Sequence, residues 1–493
     1  MSSLTSIRCF VDSRALAVAL VAAASSLACA PTIHGETDTQ TDTQEDPSDL
    51  WSKRFGDAGP QVATAVSLGP DKRVTVAGYF GDSVDLETGP LPNKGVTDLF
   101  VGAFDQDGHP LWNASFGGKG GDSLPGRTFV GADAQGRITL AAPRAGDIDF
   151  GLWPIPALGY YDTVVAGLSA DGKPLWNKRF GAKGRYTLTS SMAVSPAGNI
   201  AITGNFSGTV DFGTGPLTNS QPTCSACANA IFVVEMDALG NTLWARAFES
   251  DLWPEGVVLP QVAFDLQGHV VVAGTTRGPL EVGDSLPPIP STNGEPTVFV
   301  LGLDGKKGTT LWTRAFEAKG DAWVSSVFVG ADARIAITGN LKGSMFLEGQ
   351  LIEASGPSDL WVAALSAMGY PLWARAFTGE GEQAPSSAAF DEDGSLVLLA
   401  PFTHAVDFGT GTLQGQPSSV VTARLDSTGD TVSAAVLGAA AADPTSRIHK
   451  AVFALDGADR LLVTGSFRGV VDFGSGALTS QGDDDAFLAR AAF

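Results

Sequence analysis

The chain has 493 residues, 44% of them apolar, with 53 acidic against 31 basic side chains and a net charge of −22. That balance argues against a nucleic-acid partner, since phosphate binding needs a basic patch, and it suits a soluble, monomeric exported protein. The apolar content excludes global disorder, and 60 Gly and 28 Pro spaced between short apolar runs are the punctuation of an all-β chain.

Residues 1–28 read as a signal peptide. Arg8 and Arg14 form the positive region, and Ala15 to Leu27 is an apolar stretch of 13 residues. A bilayer core needs roughly 20, so the stretch is an export signal and not a span. Ser26-Leu27-Ala28-Cys29 is similar to a bacterial lipobox, in which the cysteine is lipidated, although Ser26 stands where Leu is usual. An ordinary signal peptidase could cut at the same bond. Residues 29–49 are polar and acidic and are expected to be a disordered tether. A tether between Cys29 and a folded body fits a lipid anchor, so the body is expected in the cell envelope, at an outer membrane or cell surface, or else secreted.

From residue 50 the chain repeats. A small residue is followed seven positions later by an acidic one at Gly78/Asp85, Ala142/Asp149, Gly204/Asp211, Gly274/Glu281, Ala400/Asp407 and Gly465/Asp472, with Gly339/Phe346 as the variant copy. The copies are 61 to 70 residues apart. Trp51, Trp112, Trp176, Trp244, Trp312 and Trp373, each preceded by Leu, mark a second position, with Val432 read as its seventh occupant. The third copy shows four strands: 190–195, 200–204, 231–236 and 243–248. The first three are apolar on both faces, as strands covered on both sides must be, and the fourth carries Arg246, as an outermost strand does. Seven four-stranded units predict a single seven-bladed β-propeller over residues 50–493. The last copy ends at Phe493 before its fourth strand, while Leu50 to Phe55 is a fourth strand with no blade before it. The N-terminal strand is therefore expected to complete the last blade.

Ala-Ile-Thr-Gly at 201–204 followed by Val-Asp-Phe-Gly-Thr-Gly-Pro-Leu at 210–217 resembles the exported bacterial beta-propeller-repeat proteins of the SBBP type. The resemblance implies the fold and an exported, often surface-anchored setting, and no reaction. Hairpins such as 236–244 also resemble quinoprotein-type propeller repeats. Those proteins use an adjacent Cys-Cys pair for their quinone cofactor. Here the pair is Cys224-Ser-Ala-Cys227, so no cofactor is carried over.

Cys224 and Cys227, in an exported chain, read as a small-loop disulfide in preference to a redox or metal site. His34, His109, His269, His404 and His449 fall at different places in their repeats and form no ligand set; two or three could still meet at the central channel. Asp105-Gln-Asp-Gly108 and Asp391-Glu-Asp-Gly394 read as hairpin turns, not calcium loops, and no metal is expected. The Asp of Val-Asp-Phe-Gly reads as turn-fixing, and the Trp stripe as packing between blades. The segments joining second and third strands vary in length, and the one carrying Trp153, Tyr160 and Tyr161 is a candidate binding face. The expected function is a non-enzymatic binding or structural scaffold with a protein or glycan ligand. The alternative is an extracellular enzyme acting on a polymer around the channel.

Overall fold

The computed structural model describes residues 50–119, 127–219, 230–250, 257–383, 387–416, 418–443, 445–457 and 459–493. Among them lie seven four-stranded antiparallel units, the blades of a β-propeller. Blade 1 pairs Gln61–Leu68, Val74–Phe80, Asp98–Phe104 and Pro110–Phe116 in that order, from the innermost strand to the outermost. Blade 2 spans 129–180, blade 3 187–250 and blade 6 387–440, each with the same order. Thr310–Val329 serves two blades: its first part closes blade 4 beside Thr297–Leu303, and from Ala318 it opens blade 5 beside Ile335–Leu347. The innermost strands stand side by side around the axis, and that of blade 1 meets that of blade 7.

Blade 7 is built from both ends of the chain. Arg447–Leu455, Arg460–Arg468 and Asp485–Ala492 are joined by Trp51–Phe55, which runs antiparallel to the last of these with Trp51 opposite Arg490 and Phe55 opposite Ala486. Phe55 is buried and its ring lies 5.4 Å from that of Phe104 in blade 1. Arg54 Nη1 donates to the buried Asp485 carboxylate at 2.8 Å. The sequence-derived closure therefore stands in the observed register.

The seams between blades reuse the Trp marker. The indole Nε1 of five outer-strand Trp residues donates to a carbonyl in the hairpin turn of the following blade: Trp51 to Gln106, Trp112 to Ala170, Trp176 to Ala238, Trp244 to Gly305 and Trp373 to Ser427, at 2.9 to 3.3 Å. The ring covers a turn glycine at positive φ, where a Cβ would not fit. At Gly172 (φ 79°) that atom would lie 2.5 Å from the Trp112 ring. The register corrects one sequence equivalence. Pro110 pairs with Phe104 and Trp112 with Ala103; in blade 6, Thr431 pairs with Leu425 and Ser433 with Arg424. Ser433, not Val432, thus occupies the Trp position, and Val432 takes that of the exposed Leu before it.

The Val-Asp-Phe-Gly segment is a latch between blades. In the third copy, Thr209–Asp211 pairs with Pro216–Thr218, and the Asp211 carboxylate accepts the amides of Gly213 and Gly215. Asp407 and Asp472 do the same for Gly409/Gly411 and Gly474/Gly476. The next residue is driven into the seam: Phe150 meets Phe116 of the preceding blade at 5.2 Å, Phe212 meets Phe180 at 5.4 Å and Phe408 meets Phe377 at 4.6 Å. In the variant copy the turn shortens to Glu348-Gly349, both at positive φ, with Leu347 opposite Gln350. No longer loop remains there for an Asp to bridge, and Phe346 takes its place.

Candidate functional site

Because the latches and rivets account for the repeated residues, the informative side chains are those that break the repeat. They gather where the innermost strands begin. Most of these strands carry a β-bulge near that end, falling at Thr64, Ser190, Leu259–Pro260, Ser325 and His449. A bulge re-aims side chains and adds local twist. Two bulge hydroxyls bridge neighbouring blades: Thr64 Oγ1 donates to the Thr128 carbonyl at 2.8 Å and Ser190 Oγ to that of Pro260 at 2.6 Å. In blade 7 the bulge lies two pairs nearer the strand's start, between the partners of Phe467 and Ser466 instead of those of Gly465 and Thr464, and the bulged residue is His449.

These strands enclose a cavity of about 750 Å³ at the channel mouth, lined by Thr64, Arg127, Ser190, Gln261, Trp323, His449 and Lys450 with apolar neighbours. At its inner end Met192, Val262, Val327 and Phe328 separate it from a second cavity that opens on the opposite face. No Asp or Glu lines the mouth among the described residues, whereas the whole chain carries −22. Lys450 is half-buried; burial, reinforced by the nearby Arg127 charge, pulls its amine down to about 8. Arg127 Nη1 is buried and makes no hydrogen bond to a described residue. His449 Nε2 accepts from Arg447 Nε at 2.6 Å and lies 3.2 Å from Asp484, whose carboxylate also takes Arg468 at 2.9 Å. Burial, together with Arg447 and Arg468, holds the imidazole below its ordinary value despite Asp484.

The residues singled out in the sequence fall elsewhere. Cys29, Cys224 and Cys227 lie outside the described residues. Tyr160 and Tyr161 come together with Tyr186, at ring distances of 5.2 and 6.2 Å. Trp153, 60% exposed, is at the tip of the blade 2 latch, next to Gly151, which sits over Pro174. Pro174 begins the outer strand, whereas Gly159 packs on Ala182 and Arg185 just beyond its end. Seven residues of strand, roughly 20 Å, separate the two aromatic groups. Asp105, Asp107 and His109 approach one another, but as parts of a turn: Asp105 accepts the amides of Asp107 and His109 and pairs with the His109 ring at 3.1 Å. Asp265 and His269 repeat the arrangement, and Asp391 likewise accepts the amides of Asp393 and Ser395. Of the histidines, His449 reaches the mouth. Sequence reasoning missed Arg127 and Lys450; their signal is a charge at the start of an innermost strand, where blade 1 has Gln61 to Ala63 and blade 3 has Thr187 to Thr189.

No protein-family model matches the chain, and no curated protein matches it. Solved structures that resemble it are β-propeller proteins. A polysaccharide lyase described as an ulvan lyase is 11% identical, covering 84% of this chain and 93% of its own, at a TM-score of 0.45. The quinohemoprotein alcohol dehydrogenase from Comamonas testosteroni is 12% identical over 91% of this chain and 78% of its own, at 0.41. A protein of unknown function from Dyadobacter fermentans is 13% identical over 74% and 95%, at 0.37. The lyase and the dehydrogenase differ in activity, and the likeness assigns neither to this chain.

Proposed function

We propose that the chain is an exported, lipid-anchored binding protein of the cell envelope. Residues 1–28 direct export, Cys29 carries the lipid, 29–49 form the tether, and the propeller presents its channel mouth to a ligand. One observation carries the binding reading: the polar and aromatic residues that repeat are taken up by rivets and latches, while the non-repeating Arg127, Trp323, His449 and Lys450 collect around one cavity. Its size falls within the few hundred to 1,000 Å³ of small-ligand sites. The signal, the lipobox-like Ser-Leu-Ala-Cys and the resemblance to exported SBBP-type repeats support the address.

Two experiments test the reading. Palmitate labelling and membrane fractionation of the full chain should place it in the membrane, with label and sedimentation lost in Cys29→Ser; an unlabelled wild type removes the anchor. A pull-down from envelope extract and culture medium should retain a ligand that Ser325→Trp, filling the mouth, releases. Equal retention by both would move binding away from the channel.

The enzyme alternative has the His449–Asp484 pair in its favour. Arg447 shares the same ring nitrogen and Arg468 the same carboxylate, which suits a fixed positive cluster more than a proton shuttle. Polymer degradation by the wild type that disappears in His449→Ala would reverse this preference.

A further inference from the structure

We propose that the turn face of blades 3 to 5 rests on a lipid surface, so that the anchored propeller lies with this face on the membrane and its channel mouth turned away. The proposal goes beyond the ligand reading above and rests on the anchoring part of it.

In each of these blades the turn after the first strand and the turn after the third lie at one end of the sheet, opposite the channel mouth. The two residues at the tip of each turn divide this face in two. After the first strand they are Pro196-Ala197 in blade 3, Leu266-Gln267 in blade 4 and Ala331-Asp332 in blade 5. After the third they are Ala238-Leu239, Lys306-Lys307 and Ala367-Met368. Leu239 and Leu266 are 67% and 65% exposed, Met368 is 52% exposed, and Asp332, the one acid in the set, is paired with Arg334. In the same places blade 6 has Glu392-Asp393, blade 1 has Asp71 and Asp107, and blade 2 has Asp171, and none of the three puts a leucine or methionine there. The exposed Leu before each rivet recurs in blades 1 to 5 and does not distinguish the halves. A single exposed leucine is ordinary, but large apolar tips on three adjacent blades make a patch. The patch is continuous. Pro196 and Leu266 rim the second cavity, of about 820 Å³, and Val194, Phe264 and Val329 carry its apolar surface inward. Gln267, Leu311 and Met368 meet in a cleft of about 350 Å³ between blades 4 and 5.

Two observations favour a lipid surface over a protein partner. The first is where the chain enters the propeller. Trp51, which opens the closing strand, lies over Gly108 and donates to the Gln106 carbonyl, so the strand begins on the turn face. A tether of residues 29–49 then spans roughly 25 Å from the lipid to this face, and holds it, not the mouth, toward the bilayer. The second is chemistry. Leucine and methionine on separate tips, with exposed Lys306 and Lys307 between them, suit the boundary of acyl chains and headgroups. Apolar tips bury there, and ammonium groups meet lipid phosphate. The other half is kept out. Asp71, Asp171 and Asp393 stay hydrated even where Arg73, Lys173 and Arg424 pair with them, and the slack of the tether lets that side stand off. A few side chains hold a membrane weakly, so the patch orients the protein and does not retain it without the lipid. The anchor confines the face near the bilayer and raises its effective concentration, which completes the docking.

The test uses the full lipidated chain in vesicles of phosphatidylcholine and phosphatidylglycerol. A polarity-sensitive dye is placed on one introduced cysteine, nitroxide-labelled lipid is the quencher, and the signal of dye-treated wild type is subtracted. Dye on Leu239→Cys, Leu266→Cys or Met368→Cys should be quenched at least threefold more than on Asp107→Cys or Glu392→Cys. The pair Leu239→Ser and Leu266→Ser should lower quenching at Met368→Cys at least threefold, while palmitate labelling, sedimentation and melting temperature stay as in wild type. Equal quenching at all five positions overturns the proposal, as does quenching at none in a chain that still labels and sediments; both outcomes leave the anchor standing. Blue-shifted emission at the tips that grows with protein density and ignores the nitroxide lipid overturns it in favour of a second copy of the chain. A wild type that takes up no palmitate overturns the anchor and this orientation together.

Discussion

The seam between blades 5 and 6 and the seam between blades 6 and 7 differ at their rivet. At the first, Trp373 lies over Gly429, 2.5 Å from where a Cβ would stand, and its Nε1 donates to the Ser427 carbonyl at 2.9 Å. At the second, the register puts exposed Ser433 in that place, and the next blade offers no matching turn, because its third and fourth strands, Asp485–Ala492 and Trp51–Phe55, come from opposite ends of the chain. The rest of the seam is kept: Phe473 is buried in the core shared by the two blades, Ala439 and Ala440 pair with Asp472 and Val471, and the Ser418 hydroxyl holds Ile448 through both its amide and its carbonyl. A blade seam is therefore redundant, with a rivet at one end, a latch along the edge and hydroxyls near the axis. The ring tolerates the loss of one device at one place.

The largest effect should come from removing the closure, where redundancy ends. Deleting residues 50–56 takes away the fourth strand of blade 7, the Trp51 rivet and buried Phe55, and exposes the buried Asp485. Each aromatic is worth roughly 3 kcal/mol or more, so the truncated chain should melt far below the intact one. An unchanged melting temperature would break the ring model of stability and make blade 7 independent of its last strand.

Next comes a single riveted seam. Trp373→Ala should destabilise by about 3 to 5 kcal/mol in denaturant titration, whereas Ser433→Ala should fall within about 0.5 kcal/mol. Similar small values for both would mean that the latches alone hold the blades and that the Trp repeat is dispensable.

The periodic part of the molecule was open to reading because each device uses a residue type that few others can replace. Trp supplies area and a donor, Gly permits positive φ beneath it, and Asp closes the latch turn; seven near-copies make such residues stand out. The ends could be joined because a missing strand and a spare strand share one motif. The mouth obeys no period. Arg127, Trp323 and Lys450 come from three blades, and each alone looks like an ordinary side chain on a half-buried strand. The displaced bulge at His449 is a register feature, invisible without the partner strand. The Trp153–Tyr161 segment shows a related effect: it is contiguous in sequence, but the latch runs the length of a strand and carries its two ends apart.

Among riveted seams, that of blades 3 and 4 has its own irregularity. The residue opposite the rivet is small in several blades, as in Ala103, Gly167, Gly302 and Ala364, but in blade 3 it is Glu235, fully buried opposite Trp244. Burial pushes its carboxyl up to about 7, against the opposing bond from Asn199 Nδ2 at 2.7 Å. The raised value means that the unfolded chain loses this proton first, near 4.5, so stability is highest below that pH and falls until about 7. The change is of order 3 kcal/mol at most. Glu235→Gln should flatten the fall in melting temperature between pH 5 and 8 and stabilise the protein at the upper end. A slope identical in both proteins would assign the pH dependence to other groups.

The smallest effect is also the sharpest test of the opening comparison. Blade 7 already combines a rivet with an opposing arginine, since Trp51 pairs with Arg490 and still lies over Gly108. Blade 6 has the opposing arginine, with Ser433 opposite Arg424, but the third and fourth strands of blade 7 come from opposite ends of the chain, so no turn joins them beneath the position a ring would take. Ser433→Trp should therefore shift stability by no more than about 0.5 kcal/mol in denaturant titration, as an exposed substitution does. A gain of about 1 kcal/mol or more would mean that an indole can rivet a seam without a closed turn to hold, and that the turn glycines are a consequence of the Trp repeat and not a condition for it.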